Sequence, residues 1–194
     1  MTFLAGFLIG HMRQNPNFFT SRDLNEVESA IVEDFKVWIQ DPMTHAYLKP
    51  HLPWSMRRSD LQNLADTAVS ANYYAIDNEL MQGVNSDGES WTRIADANFM
   101  LNRIRIYSDT YYWEYYTRDY GPKREAALKN SGMCSVETIE LLESQAEPFG
   151  ILCHENAHLA RFMNHDVVYY IGWACEKAVS DMIRDRRNFC SHVY

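Results

Sequence analysis

Apolar residues recur at helical intervals along most of this chain, and that period constrains the fold more than any other feature. Leu24, Val27, Ile31, Phe35 and Trp38 form one stripe, with the three-and-four spacing that marks one face of a helix. Asp23, followed three residues later by Glu26, resembles a capping box at its start. After Ser59, a residue suited to an N-cap, a second series runs through Leu61, Leu64, Ala68, Ala75, Ile76 and Leu80. A third runs through Ile94, Ala97, Leu101, Ile104, Tyr111 and Tyr115. Residues 103–107 also alternate with a period of two, and the tyrosines nearby favour strands. The longer helical spacing makes helix the expectation there.

Between these series lie breaks. The three prolines of 42–53 demand an irregular connection. Asn85-Ser86-Asp87-Gly88 reads as a turn, and Gly121-Pro122 closes the third series. A short helix fits 123–130, with Gly132 near its end, and Ser135 can cap another reaching Leu142. Pro148 suits the first turn of the next helix, and a last helix reaches about Arg186. The expected fold is all-α: a compact bundle of about six to eight helices in a single domain, 1–194, with an irregular proline-rich connection near 42–53.

Composition narrows the functional classes. A net charge of −8 disfavours nucleic acid as a partner, because phosphates need a basic face. The apolar stretch 2–10 is too short for a membrane span and lacks the basic start of a signal peptide. Packing on the core is its expected role. Cys134, Cys153, Cys175 and Cys190 contain no CxxC pair. In a chain long enough to build a core without staples, they are expected as reduced thiols in a cytoplasmic protein.

The chemically suggestive segment is His154-Glu155-Asn156-Ala157-His158. Residues four apart share a helix face, so both imidazoles aim at one point, as a tetrahedral zinc requires. Glu155 is turned ~100° away and still reaches a metal-bound water, for which it would serve as general base. The pattern HExxH, with Ile151-Leu152-Cys153 before it and Leu159-Ala160 after it, resembles the signature of the zincin metallopeptidases. The resemblance covers about 25 residues. It implies a zinc-dependent hydrolase, peptidase-like, acting on a peptide or protein substrate, with a third protein ligand beyond the motif.

For that ligand Glu176 ranks first, because in the gluzincin branch a Glu at a similar distance on the next helix completes the site. His165 and Asp166 are the alternatives. Met163-Asn164-His165-Asp166 resembles the end of the metzincin motif HExxHxxGxxHD. Here the His stands one residue further along, and Arg161 occupies the position of the family's turn glycine. Glu176 as third ligand requires the chain to break, and Asn164 to Asp166 is the natural place, with Asp166 as a helix N-cap. A straight helix would leave Glu176 more than about 25 Å from His158.

Two further readings complete the set. Glu155 and His158 form an ExxH, half of a di-iron site, but the residues three before the other histidines (Leu8, Pro42, Leu48, Ile151, Phe162 and Phe189) supply no second carboxylate. Iron is therefore less favoured than zinc. The rival class is a non-catalytic acidic helical interaction or inhibitor protein, with a protein partner and HExxH as a coincidence on a polar face.

Overall fold

The computed structural model describes residues 20–77, 82–84, 90–92, 94–108, 111–162 and 164–192. The apolar stretch 2–10, His11, Leu80, the turn at 85–88 and Met163 lie outside these described residues.

Helices dominate, as the period demands. They are α1 (Glu26–Gln40), α2 (Pro42–Leu48), α3 (Arg58–Ser70), α4 (Tyr111–Arg118), α5 (Tyr120–Lys129), α6 (Val136–Leu159) and α7 (His165–Ser191). The first stripe is real: Ile31, Phe35 and Trp38 of α1 are buried. Its capping box lies two residues later than expected, with Asn25 accepting from the Glu28 amide while Glu28 accepts from the Asn25 amide. Of 42–53, α2 takes the first part and a short 3-10 turn, Lys49–His51, the next.

The expectation of an all-α fold needs correction, because the chain also builds a four-stranded mixed sheet. Strands β1 (Thr20–Arg22), β2 (Asn72–Asp77), β5 (Ala95–Asn98) and β6 (Arg103–Tyr107) lie in the order β1-β2-β6-β5. β3 (Gln82–Val84) and β4 (Ser90–Thr92) form a separate hairpin. β2 and β6 run parallel, and β5 is an antiparallel edge strand on β6. The second and third helical series were therefore over-extended. The helix after Ser59 stops at Ser70, and Ala75 and Ile76 belong to β2. In β6 the period of two wins over 103–106: exposed Arg103 and half-buried Arg105 alternate with fully buried Ile104 and Ile106, and Tyr107 is buried as well. The spacing that suggested helix came from Leu101, which is exposed in the β5–β6 turn, where Asn102 adopts a left-handed φ of 49°.

Two expected breaks also move. Pro122 lies within the first turn of α5, and Pro148 lies in the interior of α6. Ser135 does cap α6, but that helix runs on through the HExxH segment to Leu159. Sheet and helices share one core, in which Ile104, Ile106, Trp113 and Phe149 are fully buried beside α1, α3, α6 and α7. No helix among the described residues is long and apolar enough to cross a membrane.

Candidate metal centre

The centre is built on a hairpin of two long helices. α6 carries His154, Glu155 and His158, and α7 begins at His165. The chain breaks between them, where the Glu176 reading expected a break. Asn164, rather than Asp166, is the N-cap of α7, and its side chain accepts from the Asp166 amide.

The turn itself is a Schellman motif. The Phe162 amide donates to the Ala157 carbonyl and the Arg161 amide to the His158 carbonyl, at 3.1 Å each. Arg161 sits at φ 67°, so it adopts the left-handed conformation that glycine takes more easily. The position of the metzincin glycine is thus used for a sharp turn here too, at a steric cost. Arg161→Gly is expected to stabilise the chain by about 0.5–1 kcal/mol, raising Tm by roughly 2 °C. Thermal unfolding of the two proteins, compared side by side, checks this.

Close approach of the helices sets the register. A Cβ on Gly172 would lie 2.9 Å from the Gly150 carbonyl oxygen and 3.2 Å from the His154 Cβ. Glycine at 172 therefore lets α7 press against the turn that bears His154. A disulfide between Cys153 and Cys175, both fully buried, ties the helices at the same level. A second, Cys134–Cys190, ties the start of α6 to the end of α7. The expectation of reduced thiols is corrected by these pairings. The cysteines of each pair are far apart in sequence, and only the antiparallel hairpin brings them together.

This geometry brings His154, His158 and His165 to one point. One ring nitrogen from each lies within 4.8 Å of the others, a group that could hold a metal ion. The His154 and His158 Nε2 atoms are 3.3 Å apart. Two imidazole nitrogens bound tetrahedrally at 2.0–2.1 Å would be separated by about 3.3–3.4 Å, so this pair fits zinc. Burial, then the neighbouring His158 and His165, pushes the His154 pKa down to about 4. Burial, then His165, lowers that of His158. A neutral ring keeps the lone pair that a metal ligand needs.

The remaining candidates fall around this group. Glu155 is buried, and its Oε1 lies 3.9 Å from the His154 Nε2. The carboxylate thus stands beside the point of convergence, where a general base belongs. Glu176, the first-ranked third ligand, is not part of the converging set. It lies level with Gly150, where a Cβ would come within 2.5 Å of its carboxylate. That is one helical turn, about 6 Å, before His154. Asp166 is exposed in the first turn of α7. Of the three alternatives, geometry favours His165.

All three histidines open into a cleft of about 990 Å³, which Glu155 and Glu176 also line. Across from α6 its wall is β5, with Asp96 and Ala97, and α6 packs against that strand. Arg105 of β6 donates to both Asp96 oxygens at 2.5 Å each, and the Tyr107 hydroxyl donates to Asp96 at 2.9 Å. This network holds the edge strand in place. Behind the motif, Asn156 is fully buried and donates to the Leu152 carbonyl at 2.7 Å and to the Tyr73 hydroxyl at 2.9 Å. It thereby anchors α6 to β2.

Sequence reasoning missed four contributors. Tyr169, four residues after His165, stacks edge-on against His154 and His165 with ring centroids 4.6 and 4.8 Å away. Its helical spacing from His165 could have placed it on the same face. Gly150 and Gly172 had no periodic signal, and β5 was hidden in the over-extended helical series. Comparison of the chain with family models, with curated proteins and with solved structures finds no match.

Proposed function

We propose that the chain is a zinc-dependent peptidase, with His154, His158 and His165 as the metal ligands and Glu155 as general base. One observation carries this reading: three imidazoles that line one cleft converge, with a buried carboxylate beside them. A coincidental HExxH on a solvated polar face has no reason to recruit a third histidine across a helix break. When bound there, zinc supplies Lewis-acid polarisation of the scissile carbonyl and lowers the pKa of a bound water. Glu155 takes a proton from the attacking water and returns it to the leaving amine.

The sheet adds the substrate's place. Among the described residues β5 ends the sheet, and along such an edge an extended peptide can hydrogen-bond as an added strand. This supports a peptide substrate, laid along β5 across the histidines. The pairing of all four cysteines favours an oxidising compartment over the cytoplasm that the sequence suggested.

The test is hydrolysis of a mixture of unstructured peptides followed by mass spectrometry. Cleavage is expected, abolished by a zinc chelator and restored by added zinc. Cleavage that is indifferent to chelation, or none by the zinc-loaded chain, contradicts the reading.

A further inference from the structure

The metal centre does not use Glu176, yet this carboxylate lines the same cleft. Among the described residues it makes no side-chain hydrogen bond or ion pair; only its backbone carbonyl is engaged, by Ser180. Burial, then the charge of Glu147, raises its pKa, and Lys177 opposes this only in part. Lys177 is instead turned over the Trp173 ring, 5.8 Å from its centroid. A half-buried carboxylate without a cation is costly to keep charged. Gly150 leaves the room in which it lies, since any side chain there would collide with it.

The other charges in the cleft are already committed. Arg105 and Asp96 pair with each other, and Glu155 serves the water. Trp173 and Tyr169, on the same face of α7 as Glu176, put aromatic rings on the approach. A carboxylate that shares a cleft wall with aromatic rings can receive a cation.

We propose that Glu176 selects a lysine or arginine side chain of the substrate, at a position next to the scissile bond. This rests on the peptidase reading above. Glu176 lies one turn of α6 from His154, about 6 Å along the helix. A long basic side chain spans about that distance from a substrate backbone held at the level of the histidines. Its ammonium or guanidinium then meets the carboxylate, and its aliphatic stem lies against Trp173.

Two measurements test it. Cleavage-site profiling of a synthetic peptide library by the zinc-loaded chain should show lysine or arginine at one fixed position, favoured about ten- to a hundred-fold. Glu176→Gln should retain its zinc and lose that preference, and Glu176→Lys should shift it towards acidic residues. Separately, calorimetry on zinc-loaded Glu155→Gln should show about ten-fold or greater tightening for a lysine peptide over the same peptide with norleucine. That gain should vanish in Glu155→Gln/Glu176→Gln. A preference that survives Glu176→Gln, or cleavage without any preference, overturns the proposal. So does loss of zinc in Glu176→Gln, which would make Glu176 a ligand. If the wild-type chain binds zinc but cleaves nothing, and the calorimetry shows no lysine preference, both the peptidase reading and this one fall. A lysine preference in calorimetry without cleavage removes peptide hydrolysis alone and leaves a cation-binding cleft.

Discussion

Glu155→Gln is expected to bind zinc as the wild type does and to lose hydrolysis by a factor on the order of a hundred to ten thousand. The amide keeps the shape of the side chain and cannot accept the proton of the attacking water. Since Glu155 is buried and stands 3.9 Å from the His154 nitrogen without being one of the three converging ligands, its removal should leave the metal in place. Zinc content and turnover measured on one preparation separate the two effects. Equal activity in Glu155→Gln would remove the general base from the mechanism. Loss of zinc would show that the carboxylate serves the metal instead.

The second large effect belongs to the disulfide beside the motif. Cys153 and Cys175 are 22 residues apart in sequence, and cross-linking a loop of that length stabilises by about 3 kcal/mol. Replacing both by alanine should lower Tm by roughly 6–12 °C. It should also weaken zinc binding, because the bond fixes α7 against the turn of α6 that carries His154. Cys134→Ala/Cys190→Ala, at the far end of the hairpin, should cost comparable stability and leave zinc affinity nearly unchanged. A thiol assay on the native protein should detect no free cysteine. If the Cys153 and Cys175 variant keeps both its Tm and its zinc affinity, the bond has no part in holding the site.

Much of the helical framework was legible, because a stripe such as Ile31, Phe35 and Trp38 reports burial on one face directly. The sheet was not, for a physical reason. Its strands are short, so β6 offers only three buried positions, Ile104, Ile106 and Tyr107, and nearby apolar residues complete a false helical pattern. Leu101 belongs to that pattern by spacing and to solvent in fact. Within the site, His154, Glu155 and His158 could be read from one helical turn. A break near Asn164 was also expected, but from Glu176 as the ligand, and Glu176 is not in the converging set. The identity of the third ligand could not be read, since it depends on how far α7 slides along α6. Gly172 against Gly150 and the Cys153–Cys175 bond set that register, and both are contacts across the hairpin. Arg161 shows the limit of reading a motif by residue type, for it holds a left-handed turn that the pattern assigns to glycine.

The central claim is that three histidines from two helices hold one zinc. It is tested most directly by metal analysis of the chain purified without chelators, alongside the His154→Ala/His158→Ala and His165→Ala variants. About one zinc is expected per wild-type chain, none in the double variant and a marked loss in His165→Ala. A metal-free wild-type chain that takes up no zinc on titration would contradict it, as would full zinc retention without His154 and His158.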